Sequence, residues 1–246
     1  MDIILYNILI GFCCLFIGYL FGSIPIGVII GKIFFHRDPR LEGSKNSGGT
    51  NVGRLFGKKV GFIVIILDML KSIIPTVCIF LVLKYSNLEN LLIDNFGEGF
   101  FDNGILFTYL TPIGVSIGHC WPLFAKFIGG KTVSVFVGFC ALSSWSLIVL
   151  GIIVFFLTLK LTKFVSLSSI LMTISFMAFS WLMFGLTFVM PENTQNIIMW
   201  GNGSFLKFGW EFSSAVTLIG LTLIYRHKAN IGRLFAKTEN KIKWLK

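Results

Sequence analysis

Residues 132–162 read TVSVFVGFCALSSWSLIVLGIIVFFLTLKLT, with no charged side chain before Lys160. A run this apolar belongs in a bilayer, and it is longer than the roughly 20 residues that one crossing needs. Whether it forms one helix or two decides the topology of the chain, because it sets the parity of the crossings. Ser143-Ser144-Trp145 offers a turn with an interfacial aromatic. A division there gives spans at 132–144 and 146–162. The first is short for a full crossing and is expected to tilt or to thin the bilayer around it.

The sequence on both sides is of the same kind. The chain is 55% hydrophobic and 13% charged, with a mean hydropathy of +0.84, where a soluble domain carries about 25% charged residues. Its apolar residues come in long runs, not in the short alternating segments of a β-barrel. The fold class is all-α, a polytopic integral membrane protein. Further spans are expected at about 3–30, 60–83, 104–118, 166–190 and 208–225, making seven. The whole chain, 1–246, reads as a single membrane-embedded domain. Gly22-Ser23-Ile24-Pro25 should kink or break the first span near its end. Met1-Asp2 offers no basic region and no Ala-x-Ala site follows, so the first segment is expected to stay as a span.

Charge orients these spans. Residues 32–59 carry seven Lys/Arg against two acids, and 225–246 carry seven against Glu239 alone. Both belong on the cytoplasmic side by the positive-inside rule, which demands an odd number of spans with the N-terminus outside. The segments 84–103, acidic and poor in bases, and 191–207 then lie outside. Eighteen of the 21 Lys/Arg fall inside. The same rule accounts for the net charge of +10 without nucleic acid as a partner. The five cysteines form no CxxC pair and the three histidines have no ligand spacing, so no metal site is expected. No inverted repeat of the transporter kind is visible.

Four polar clusters share the inner face. The first is Gly43-Ser44-Lys45-Asn46-Ser47-Gly48-Gly49-Thr50-Asn51, followed by Arg54. Its glycines can turn backbone N–H groups inward to cradle an anion, although taken alone the stretch reads equally well as a linker. It is not a Walker A loop. The second is Gly118-His119-Cys120-Trp121-Pro122 with Gly129-Gly130-Lys131, a lysine at a helix start, where an anion would be welcome and where a snorkelling lysine is the plain alternative. The third, Lys163 to Ser169, places three serines at a helix start as caps or phosphate donors. The fourth is Arg226-His227-Lys228-Ala229-Asn230-Ile231-Gly232-Arg233. Within a span, Asp68 and Lys71 share one helical face and are expected to pair or to line a cavity. His119 has an interfacial position suited to a general base.

In this order the clusters resemble the bacterial acyl-phosphate-dependent glycerol-3-phosphate acyltransferase family. The resemblance runs from Gly22-Ser23-Ile24-Pro25 through Asp38, Arg40, the glycine loop, Arg54, Asp68, Lys71, His119, Pro122 and Gly129-Gly130-Lys131 to Val165–Ser169 and Tyr225–Glu239. It implies a seven-helix enzyme of the bacterial cell membrane whose site faces the cytoplasm. It implies Ser44, His119 and Asn230 at the catalytic centre, and Arg54, Lys131 and Ser169 on the glycerol phosphate. Asn46, Thr50, Asn51, Lys71 and His227 match further motif positions on the substrate side. The substrates would be sn-glycerol 3-phosphate and acyl phosphate, the latter lying in the inner leaflet, with no cofactor. An acyl-phosphate-producing acyltransferase is admitted as a partner.

The proton acceptor stays open between His119 and a substrate phosphate oxygen, with no acidic residue near His119 in sequence. Lys45 and Thr132 stand where the family has glycines, Val135 where it has threonine and Ser72 where it has glycine. The rival reading is a membrane transporter of phosphate or a small phospho-ester.

Overall fold

The computed structural model describes residues 3–86, 104–190, 199–200, 206 and 208–242. The outer segments expected at 84–103 and 191–207 fall mostly outside the described residues. Among those residues the regular elements are all helical. They are α1 (Ile3–Gly22), α2 (Ile26–Phe35), α3 (Gly49–Phe56), α4 (Lys58–Tyr85), α5 (Leu110–Cys120), α6 (Val133–Ser143), α7 (Trp145–Thr162), α8 (Val165–Leu186), α9 (Trp210–Arg226) and α10 (Lys228–Phe235). A 3₁₀ segment, Gly104–Tyr109, leads into α5.

Four stretches are long and apolar enough to cross a membrane: Leu5–Phe35, Lys58–Tyr85, Trp145–Thr162 and Val165–Leu186. Val133–Ser143 is a shorter apolar helix. Phe12, Phe62, Ile153 and Leu182 stay 56–61% exposed. Water would not tolerate so many open apolar side chains in helices of this composition, and lipid covers them.

The breaks have local causes. Pro25 has no N–H to donate and disfavours helical geometry at Ile24. The first apolar segment therefore stops at Gly22, turns tightly with the Ile26 N–H on the Ile24 carbonyl at 3.1 Å, and resumes as α2 as far as Phe35, beyond the expected 3–30. At the other decisive point Ser144 is extended (φ −152°) and its Oγ accepts the Ser146 N–H at 3.2 Å. That is an N-cap, so α6 and α7 are separate helices.

The chain forms two compact units, residues 1–139 and 140–246. In the first, α1 lies against α5 along a seam of small residues. A Cβ at Gly18 would come within 2.1 Å of the Thr111 carbonyl oxygen, and one at Gly22 within 2.2 Å of Val115's. From the other side Gly114 and Gly118 abut the carbonyls of Leu15 and Tyr19 just as closely. This is the small-xxx-small packing that lets helix backbones touch in lipid, where no hydrophobic effect drives them together.

In the second unit α7 and α9 each pack on α8. Phe176 of α8 fills the space left by Gly151, Phe212 is fully buried, and the Ser213 hydroxyl donates to the Ser180 carbonyl at 3.0 Å.

Candidate active site

The glycine loop of the first unit is organised by one amide. Asn51, 2% exposed on α3, donates through Nδ2 to the carbonyls of Pro39 (2.8 Å), Glu42 (3.1 Å) and Asn46 (2.9 Å). Its Oδ1 accepts the Ser44 N–H at 2.8 Å. The Gly48 N–H goes to Asn46 Oδ1 at 2.7 Å and the Lys45 N–H to the Glu42 carbonyl at 3.0 Å. These N–H groups therefore do not form the inward-facing anion cradle expected from the glycines. Asn51 and Asn46 serve the loop itself, and the loop turns Ser44, Thr50 and Arg54 outward, all three exposed.

The start of the loop is fastened by charge. Asp38 accepts from Arg40 Nη2 at 2.7 Å and from Arg40 Nε at 3.0 Å. The Arg40 guanidinium beside it holds the Asp38 carboxyl below its usual range, and Asp38 in turn raises Arg40. Arg37 and Glu42 form a second, exposed pair.

His119, Asp68 and Lys71 converge at the break of the first apolar segment, between α1 and α2. Lys71 Nζ lies 2.9 Å from Asp68 Oδ1 and donates to the Ile24 carbonyl at 3.1 Å. His119 Nδ1 lies 3.6 Å from the same Asp68 oxygen. All three are at least 94% buried. They line a small cleft with Gly22, Pro25, Gly27, Ser47 and Pro122. The paired face of Asp68 and Lys71 is as expected. The acidic neighbour of His119 is a correction: α4 supplies Asp68 from 51 residues upstream.

The Gly129-Gly130 pair also has a different task from the one expected. A Cβ at Gly130 would lie 1.9 Å from His119 Nε2, and one at Gly129 would lie 2.2 Å from the His119 carbonyl oxygen. The Gly130 N–H donates to that carbonyl at 2.9 Å. The glycines are needed because the loop closes on His119, Gly129 against its backbone carbonyl and Gly130 against its imidazole.

Lys131 follows, half-buried, one residue before the capping position of α6. At that position Thr132 adopts φ +67°, and Lys45 in the first loop adopts φ +51°. Both are left-handed, a conformation that glycine adopts most readily. Thr132 is held there by its hydroxyl, 2.7 Å from Cys120 Sγ and 3.3 Å from the Ser116 carbonyl.

In the second unit the serines of α8 do not cap it. Phe164 is the capping residue, and Ser168 and Ser169 donate back to the carbonyls of Phe164 and Val165 at 2.9 Å. Ser169 thus offers lone pairs rather than a free proton. Ser166 donates to Glu239 Oε1 at 2.8 Å, Asn230 Nδ2 to the same oxygen at 2.7 Å, and Arg233 Nε to Oε2 at 2.7 Å. Burial alone would raise Glu239, but these three donors outweigh it and hold the carboxyl below its ordinary range. His227 is buried at the α9–α10 junction with Nδ1 2.9 Å from the Leu223 carbonyl.

Sequence reasoning left three residues out of the site: Asp68, Glu239 and Arg40. The resemblance passes through all three without giving them a role, and for Asp68 the cost of a carboxylate in an apolar segment is a second pointer. No cluster of three or more metal-binding side chains occurs among the described residues. What the arrangement offers is exposed hydroxyl and cationic groups on a rigidly tied loop, beside a buried and neutralised polar centre.

A family model described as glycerol-3-phosphate acyltransferase matches residues 12–237. The chain is 35% identical over 231 residues to the glycerol-3-phosphate acyltransferase of Staphylococcus carnosus, covering 94% of this chain and 97% of that one. It is 36% identical over 229 residues to the enzyme of the same name from Bacillus subtilis, covering 93% and 96%. The crystal structure of PlsY (YgiH), an integral membrane glycerol 3-phosphate acyltransferase, in its glycerol 3-phosphate form, matches over 96% of both chains. Its TM-score is 0.71 at 28% identity. The lysophosphatidic acid form matches with a TM-score of 0.69 at 27% identity over the same share.

Proposed function

The chain belongs to the glycerol-3-phosphate acyltransferase family, and on that premise we propose that it transfers a fatty acyl group from acyl phosphate to the 1-hydroxyl of sn-glycerol 3-phosphate. The products are lysophosphatidate and phosphate. The observation that carries this is the match along 96% of both chains to a structure described in its glycerol 3-phosphate form.

The hydroxyl oxygen attacks the acyl carbon, the carbon–oxygen bond to phosphate breaks, and phosphate leaves with the electron pair. Acyl phosphate is already activated, so positioning and charge stabilisation suffice. Arg54 and Lys131 grip the glycerol phosphate, with Ser169 as a further contact. Ser44 and Asn230 serve the reacting centre, and Asn46, Thr50, Asn51, Lys71 and His227 support the substrate side. The buried His119, with Nδ1 toward Asp68 and Nε2 covered by Gly130, favours a substrate phosphate oxygen as the proton acceptor. His119 then serves the centre by fixing the Gly129–Lys131 loop.

The protein crosses the bacterial cell membrane seven times, N-terminus outside and C-terminus inside, as one membrane-embedded domain. Its site faces the cytoplasm, where glycerol 3-phosphate is met, and takes acyl phosphate from the inner leaflet. The distribution of Lys/Arg supports this orientation.

The test supplies purified protein with palmitoyl phosphate and labelled glycerol 3-phosphate. Labelled lysophosphatidate is expected, and it should vanish in Lys131→Ala. Acyl-CoA and acyl carrier protein thioesters are expected to fail as donors. Uptake of label into vesicles without any product would favour a transporter and sink the proposal.

A further inference from the structure

The loop that carries Lys131 is held in an unfavourable backbone, and the group that holds it comes from far away in the chain. Lys126 and Phe127 are consecutive left-handed residues, each with φ +57°, and neither is glycine. Such a pair persists only where its surroundings over-determine it. Part of the restraint is local, since the Phe127 N–H bonds the Pro122 carbonyl at 2.9 Å and the Ile128 N–H the Ala125 carbonyl at 3.2 Å. The rest is Arg40. Its Nη1 donates to the Ala125 carbonyl at 2.7 Å and reaches the Ile128 carbonyl at 3.4 Å, the two carbonyls that flank the left-handed pair.

The other edge of the guanidinium is bound by Asp38 through Nη2 and Nε. The side chains of Arg40 and Asp38 are only 15% and 13% exposed. This is a built-in strut and not a surface ion pair. From Ile128 the chain runs through Gly129 and Gly130, pinned on His119, straight into Lys131. The course of residues 125–128 thus sets where Lys131 begins.

We infer that Arg40, oriented by Asp38, is a positioning residue for Lys131, and through it for the phosphate of glycerol 3-phosphate; this rests on the function proposed above. The job demands arginine. One planar group serves a carboxylate on one edge and two carbonyls on the other, and a lysine ammonium cannot span them.

Wild type, Arg40→Lys, Arg40→Ala and Asp38→Asn are purified, and each substrate is varied against saturating amounts of the other. Arg40→Lys is expected to raise KM for glycerol 3-phosphate about tenfold, Arg40→Ala more and Asp38→Asn less. The values of kcat and of KM for acyl phosphate should stay within about twofold. A loss confined to the folded fraction, with KM unchanged in the folded enzyme, assigns Arg40 a merely structural role and overturns the inference. A rise in both KM values, or a fall in kcat alone, overturns it too. If Arg40→Ala does not fold, Arg40→Lys and Asp38→Asn decide by the same criteria. A wild type that makes no lysophosphatidate defeats the enzyme reading itself, whereas an active wild type beside an unaltered Arg40→Lys defeats only the positioning role.

Discussion

Two helices, one in each compact unit, carry nearly the same six residues in the same register. In α3 they are Asn51-Val52-Gly53-Arg54-Leu55-Phe56, and in α10 Asn230-Ile231-Gly232-Arg233-Leu234-Phe235. Each helix is eight residues long with the asparagine third. Both asparagines are buried, and each ties down a neighbouring stretch of chain. Asn51 gathers the loop before its helix, and Asn230 binds Glu239 in the stretch after.

The arginines part company. Arg233 is bonded to Glu239, whereas Arg54 is exposed and belongs to none of the described ion pairs. Two hexapeptides that differ only at Val52 and Ile231 thus make the same helical turn with a buried amide and a cation one turn on. Whether that cation is left for a ligand depends on a carboxylate outside the hexapeptide.

The sharpest way to break this comparison is to truncate both arginines. On the proposed function Arg54→Ala removes a charged phosphate contact worth about 1.5–3 kcal/mol, or about 10- to 150-fold in kcat/KM for glycerol 3-phosphate. It should leave the thermal midpoint in detergent nearly unchanged. Arg233→Ala should do the reverse, lowering the midpoint with a smaller kinetic effect. Equal kinetic losses in the two variants would erase the distinction.

Next comes the asparagine. Asn51→Ala removes the partner of the buried Pro39 carbonyl, at about 1–3 kcal/mol, and of the part-buried Asn46 carbonyl and Ser44 N–H at less. A drop in thermal midpoint and a disordered Ser44 loop are expected, the latter seen as rapid protease cleavage between residues 39 and 48. Intact resistance to protease would refute the hub.

A weaker effect separates the two regions by pH. Folding holds Glu239 below its ordinary range. The stability this gives is present above the unfolded value of about 4.3 and is lost as pH falls through the lower folded value. The thermal midpoint of wild type should therefore fall on acidification below about pH 4, and Glu239→Gln should show a shallower acid limb. Arg54→Ala should track wild type throughout.

The smallest effect lies in the α3 loop. Lys45 is exposed at φ +51°, so Lys45→Gly relieves the left-handed penalty without losing a buried contact. The expected gain is about 0.5–1 kcal/mol, read as a slightly higher midpoint. The same change at Thr132 should not help, because the hydroxyl contacts to Cys120 and the Ser116 carbonyl go with it.

Much of the scaffold was legible from local chemistry. Pro25 announces the break after Gly22, Ser143-Ser144 announces the turn before α7, and the spacing of Asp68 and Lys71 announces their pair. Each depends on neighbours within one helical turn. The site was less legible because its decisive contacts join distant residues. Asp68 reaches His119 across 51 positions and Arg40 reaches Ala125 across 85. The glycines misled for a related reason. Gly129 and Gly130 read as part of an anion site beside Lys131, yet their lack of a side chain lets the loop close on His119, Gly129 on its carbonyl and Gly130 on its imidazole.

The glycine seam between α1 and α5 also bears on how the protein is made. α1 leaves the ribosome before α5, and the surface that fits it is completed only when Gly114 and Gly118 have been synthesised. Until then its notches face lipid tails that cannot fill them as a backbone does. The Ile24 carbonyl, meanwhile, waits for Lys71. The first unit is therefore assembled after its first helix has inserted, and a nascent chain halted before Leu110 would expose a helix in search of a partner to membrane quality control.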